Sequence, residues 1–329
     1  MAFANTSYSD IIATTIESRS RKIADNVSNN NAVLARLKAK GKIKTFSGGH
    51  KILQELSFAE NANTGWYSGY DILPVGASDV ISAAEYTIKQ AAVPVVISGL
   101  EQLQNSGREQ MIDLMEARLS VAEKSMANLI TEGIYSDGTA NGSKEIDGLH
   151  KALPIDPTAA SYAGIDGNTW SFWRNYVQNS GNATALLADM NEVWGNTVRG
   201  SDRVDLILAD YVTWNAYMAV LQLIQRWTNT TSADAGFQSL KFMDADVVLD
   251  GGIYGGSGSV TGAVGVPTGT MFFLNTDYIH FRPHKDRNMV PLSPNRRYAT
   301  NQDAEVQILG WAGNLTCSGR KFQGRIDVN

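Results

Sequence analysis

The chain has 329 residues, 28 Lys plus Arg against 33 Asp plus Glu, a net charge of −5, and 43% hydrophobic residues. This is the composition of a folded globular protein, so disorder of the whole chain is excluded, and the mild acidity argues against a general nucleic-acid condenser. No apolar run approaches the ~20 residues of a membrane helix; the longest, Ala91–Ile97, is interrupted by Pro94. Met1–Asp10 lacks the basic-then-apolar order of a signal peptide. Cys317 is the single cysteine, so no intrachain disulfide can form.

In chain order, the first predicted element is a helix capped by Ser9 or Asp10. Ile12, Ile16, Arg19, Ile23 and Val27 recur every three or four residues along one face. The run Ser28-Asn29-Asn30-Asn31 interrupts it, and asparagine caps helices well. A second, short helix carries Val33, Leu34 and Leu37, with Gly41 at its exit. The basic run Arg36, Lys38, Lys40, Lys42, Lys44 reads as a solvated or intersubunit salt-bridging face.

Lys51–Ala59 alternates as a half-buried strand, with Ile52, Leu56 and Phe58 on one side. A glycine-aromatic stretch, Gly65-Trp66-Tyr67-Ser68-Gly69-Tyr70, follows. Ser82–Ile97 then reads as one long strand, and the two strands suggest an extended hairpin. Such a hairpin is marginal alone in water and requires a partner surface, either elsewhere in the chain or on a neighbour.

Ser106-Gly107-Arg108-Glu109 is a capping box. Met111, Met115, Leu119, Ala122, Met126, Leu129 and Ile130 trace one stripe behind it, predicting a helix of roughly 40 Å that is unbroken before Gly133. Asp137-Gly138 and Asn141-Gly142 mark turns, and 154–170 reads as a connection. Helices over Ala183–Val198 and Tyr211–Trp227 alternate with strands at Asp205–Ala209, Val247–Leu249 and Met271–Leu274, an α/β unit from about 166 to 275. A glycine-rich loop spans 251–265. Strands are predicted at Tyr278–Arg282, Ala304–Cys317 and Lys321–Val328.

The candidates for chemistry are thin. There is no P-loop and no G-x-S-x-G elbow. His280 and His284 are four apart, but Pro283 lies between them and no third ligand accompanies them. Asp244, Asp246 and Asp250 lack the register of a calcium loop. Cys317 has no histidine nearby in sequence, and Arg296-Arg297, which could contact phosphate, reads like the 36–44 run as a solvated or intersubunit salt-bridging face. No catalytic residue, cofactor site or metal site is predicted.

The order of elements, with several specific stretches, resembles the major capsid protein of tailed bacteriophages, the Hong Kong 97-type shell fold. The stretches are Asn26-Val27-Ser28-Asn29-Asn30-Asn31, Lys44-Thr45-Phe46-Ser47-Gly48-Gly49, Trp66-Tyr67-Ser68-Gly69-Tyr70, Leu103-Gln104-Asn105-Ser106-Gly107 and Ile134-Tyr135-Ser136-Asp137-Gly138-Thr139. The resemblance implies an α+β fold with an N-terminal helical arm (1–44) and an extended hairpin loop lying over a neighbouring subunit (45–98). It further implies a peripheral domain (99–165 with 276–329) with spine helix 106–133, and an α/β axial domain (166–275).

It implies a subunit that self-assembles through hexamers and pentamers into the icosahedral head enclosing double-stranded DNA, made in the bacterial host cytoplasm and resident in the virion. Partners would be copies of itself, a portal, a separate scaffolding or decoration protein, and DNA held only non-specifically. Trp66, Tyr67 and Tyr70 are the expected intersubunit contacts, since aromatics anchor interfaces. An encapsulin-type nanocompartment shell shares the fold. A soluble hydrolase or carbohydrate-binding protein built on the α/β unit is the rival from another class.

Overall fold

The computed structural model describes residues 31–73, 75–98, 108–159, 161–180, 185–224, 239–250, 265–292 and 304–328. The helix expected over 10–27, the Ser106 capping box, residues 251–264 of the glycine loop and Arg296-Arg297 lie outside these residues, as do the side chains of Met111 and Met115.

Helix α1 (Ala32–Ala39) forms where the sequence places it. The Asn31 carboxamide oxygen accepts from the amides of Val33 and Leu34 at 2.9 and 3.2 Å, satisfying two N-terminal donors. Val33, Leu34 and Leu37 are fully buried. At the other end Gly41 takes φ +65°; its amide bonds Lys38 O, and Lys42 N reaches back to Leu37 O, a Schellman closure that needs a left-handed residue at Gly41. The chain then runs beside the strand that contains Phe281 and His284, with bridges from Ile43 and Phe46.

Two sheets organise the molecule. The larger has six strands in the order β6 (Tyr176–Ser180), β13 (Gly324–Val328), β10 (Thr270–Leu274), β7 (Leu206–Ala209), β9 (Ala245–Leu249), β8 (Ser239–Phe242). Its central strands β7 and β10 are buried along their whole length, as strands covered on both faces are. Side-chain alternation assigns their residues to two cores. Ile207, Ala209, Met271 and Phe273 pack with Leu186, Met190 and Val193 of α3 (Leu186–Thr197) and Trp214 and Tyr217 of α4 (Tyr211–Ile224). Leu206, Leu208, Phe272 and Leu274 face the other way, into a larger core shared with α1 and the long helix. β13 is the end of the chain, yet it sits inside this sheet, parallel to β6 and antiparallel to β10. The last strand therefore belongs with the α/β unit, whereas the division implied by the resemblance puts 276–329 elsewhere.

The second sheet is antiparallel, in the order β11 (Ile279–Pro291), β12 (Ala304–Cys317), β3 (Lys89–Ser98). Pro94 is tolerated because β3 is an edge strand. Against β3 packs the long helix α2 (Arg108–Tyr135). Leu119, Ala122, Met126 and Ile130 are buried, but Leu129, expected in the same stripe, is 43% exposed. The helix also runs through Gly133, where the Ile146 side chain lies 3.0 Å from the place a Cβ would take. Close packing explains that glycine better than chain termination does.

The predicted hairpin is present in part. β1 (Lys51–Ser57) pairs antiparallel with β2 (Ile81–Thr87), from Lys51 opposite Thr87 to Ser57 opposite Ile81. The single strand expected over 82–97 is instead two, divided at Ile88. β2 serves the ribbon, whereas β3 gives its hydrogen bonds to β12. A short β4 (Ser161–Tyr162) and β5 (Ile165–Asp166) pair lies within 154–170, where a plain connection is expected.

Candidate assembly surface

The ribbon has a root and a tip. At the root, Ile52, Leu56, Ala84 and Tyr86 are buried in the large core. The Tyr86 hydroxyl donates to Cys317 O at 2.8 Å and accepts from Cys317 N at 3.0 Å, and burial pushes its pKa up. Tyr86 meets Tyr162 at 5.5 Å between ring centroids, Tyr162 stacks on Trp173 at 6.1 Å, and the Arg320 guanidinium lies 5.3 Å over Tyr162. Arg320 is fully buried without a carboxylate; its donors reach Ala152 O, Trp173 O and the Asn175 side chain instead. Of the two kinds of cover expected for the ribbon, the inner face of its root has that of its own chain.

Further out, Phe58 stacks on Phe172 at 5.5 Å and meets Trp170 edge-on at 5.8 Å, and its amide donates to Val80 O. Asn63 then clamps the two legs, its side chain donating to Gly76 O at 2.7 Å. Beyond this clamp the chain presents a turn, in which Asp71 N donates to Ser68 O and the Asp71 carboxylate accepts from Ser68 N, both at 2.8 Å. Trp66 and Tyr70 are fully exposed, at 106% and 105%; Tyr67, Ile72, Leu73 and Val75 are exposed as well. The three aromatic residues expected at an interface are therefore all exposed, on and beside the Ser68–Asp71 turn. Ile72, Leu73 and Val75 extend the patch. Sequence reasoning overlooked them because aliphatic residues in a glycine-rich stretch carry no periodicity.

The patch has consequences for energy. Fully burying one such side chain contributes ~1.5–3 kcal/mol, so six give on the order of 10 kcal/mol. Association costs ~4–15 kcal/mol in lost freedom. One tip contact is therefore comparable to its own entropic cost, and stable association requires several at once.

The remaining candidates for chemistry are dispersed into structural roles. His280 is buried, and burial, reinforced by Lys44 and Arg282, pushes its pKa down to about 4. His284 packs edge-on against Phe46 at 4.9 Å and accepts from Asp286 N. Cys317 is buried in β12, where its thiol is pushed up to about 11 by desolvation. Asp244 pairs with Arg203, Asp246 with Arg36, and the Asp250 carboxylate accepts from Tyr135. Among the described residues no group of three His, Cys, Asp or Glu is arranged to hold a metal ion.

The basic run is corrected in part. Arg36 bonds Asp205 at 3.1 Å, Lys40 reaches Asp205 and Asp277 at 3.2 and 3.3 Å, and Lys42 reaches Asp277 at 3.3 Å. These cations fasten α1 to its own chain. Asp205 also accepts from the Thr276 amide and hydroxyl at 2.7 Å.

No family model matches the chain, and no curated protein resembles it in sequence. Solved structures do match. The subunit of the cyanophage A-1(L) capsid asymmetric unit superposes with a TM-score of 0.56 at 14% identity, over 87% of this chain and 90% of that one. The capsid of the native GTA particle gives 0.53 at 10% identity, over 88% and 89%. A chain of Mycobacterium phage Bobi gives 0.53 at 9% identity, over 91% and 90%. The fold is therefore that of a phage capsid shell subunit. At these identities it is the arrangement of elements, and not the side chains, that is shared.

Proposed function

We propose that this chain is a major capsid protein, a structural subunit without catalytic function that self-assembles into the icosahedral head enclosing the double-stranded DNA of a tailed phage. One observation carries the reading. A shell-type fold spanning most of the chain projects an ordered turn whose aromatic and aliphatic side chains are exposed together, a feature that costs solubility in a monomer and serves a subunit. Residues 1–44 act as the arm and 45–98 as the loop over a neighbour. Residues 99–165 and most of 276–323 form the peripheral part around α2, and 166–275 with β13 the axial part. Trp66, Tyr67 and Tyr70 are the anchors between copies. A portal and a scaffolding or decoration protein complete the set of partners, and packaged DNA is held without sequence preference.

Negative-stain microscopy of the purified protein tests the reading. Closed shells, tubes or capsomers are expected. Monomers alone at every concentration and salt tried would overturn it.

A further inference from the structure

A cavity of about 240 Å³ opens between the C-terminal end of α2, edge strand β3 and the loop at 141–146. Ala92, Leu129, Ile130, Ile146 and Trp311 line it, with the Glu132 carboxyl and Lys144 among the polar groups. Two features are unexplained by the fold itself. Leu129 is exposed beside the buried Met126 and Ile130 of its stripe. Glu132 accepts no hydrogen bond among the described residues, and partial burial, then the charge of Glu145, push its pKa up. Glu145 differs, because its oxygens are already bonded to Ser136 and Asn141.

We propose that this cavity receives the Trp66 ring of a second copy of the chain. The inference rests on the assembly reading above and names the receiving surface. Size fits: a cavity of about 150 Å³ takes benzene, so this one accommodates an indole. Polarity fits as well. Indole is a donor only, and Glu132 is an acceptor without a donor at the cavity wall. The occupant comes from another copy because, within one chain, Trp66 is fully exposed and contacts nothing.

The test combines blocking and mapping. Ala92→Trp fills the cavity, and Leu129→Arg charges it; both positions are exposed, so subunit folding, followed by circular dichroism and Tm, should be retained. The particle fraction in sedimentation should fall at least tenfold for each, as for Trp66→Ala, while Val121→Arg, elsewhere on α2, should assemble normally. If both cavity variants assemble like the parent while Trp66→Ala with Tyr67→Ala does not, the cavity assignment is overturned and the assembly reading survives. If the tip variant also assembles normally, both fall. Independently of folding effects, a benzophenone side chain at position 66 in assembled particles should crosslink to 89–92, 129–133 or 144–146 of another copy. Crosslinks confined to other segments would overturn the assignment.

Discussion

The root and the tip of the ribbon are a few strand positions apart and are built on opposite principles. The root is overdetermined: Tyr86 is buried, hydrogen-bonded twice to Cys317 and set edge-on against Tyr162, which stacks on Trp173 under Arg320. The tip is held by its own turns, at Asn61–Thr64 and Ser68–Asp71, by the Asn63 clamp and by the Glu60–Arg199 ion pair on one leg, and it exposes every large apolar side chain described there. The root fixes where the tip points, and under the proposed assembly the tip is completed by another copy. Changes at the root should therefore act on folding, and changes at the tip on association.

The largest separation is expected at the tip. Trp66→Ala with Tyr67→Ala should abolish particle formation while leaving the far-UV spectrum and Tm of the subunit within error; equal loss of monomer structure would show these rings to be core. Next, Tyr86→Ala should destabilise the subunit by about 3–5 kcal/mol in denaturant unfolding, the range for removing a buried ring. Tyr86→Phe should cost about 1–2 kcal/mol, because it leaves the buried amide and carbonyl of Cys317 without their partner. A Phe variant as stable as the parent would remove the hydrogen bonds from the account of the root.

A pH effect comes next. The folded pKa of His280 is depressed to about 4 from an ordinary 6.5, so the unfolded chain binds the extra proton first. Subunit stability should fall as pH drops from 6.5 towards 4, by on the order of 2 kcal/mol after allowance for the solvent screening of Lys44 and Arg282. His280→Leu should flatten that part of the profile, and an unchanged slope would contradict it. The smallest effect is expected from Asp71→Asn, which keeps the turn but weakens its charged acceptor. Assembly should slow a few-fold with no change in Tm.

Much of the fold is legible locally. α1, α2, α3 and α4 follow from spacing of apolar residues at three and four, and Asn31 and Gly41 cap α1 as their chemistry predicts. What local pattern does not encode is choice of partner. Nothing between Ser82 and Ile97 announces that Ile88 divides two sheets, because the division is set by β1 on one side and β12 on the other. β13 enters the six-stranded sheet for the same reason. Arg36, Lys40 and Lys42 read as an outward face because their acids, Asp205, Asp246 and Asp277, lie far along the chain. The exposed aromatic residues Trp66, Tyr67 and Tyr70 are visible as composition, whereas the cavity is not, since it joins α2, β3 and β12.

Hydrogen exchange measured on the free subunit and on assembled particles tests the division between root and tip most directly. Amides of 61–73 and 75–80, apart from Asn63, Thr64, Ser68 and Asp71, which are bonded within the loop, should be unprotected in the subunit and strongly protected in particles, with those of β1 and β2 slow in both. A tip that exchanges as fast in particles as in the free subunit would contradict the claim that another copy completes it.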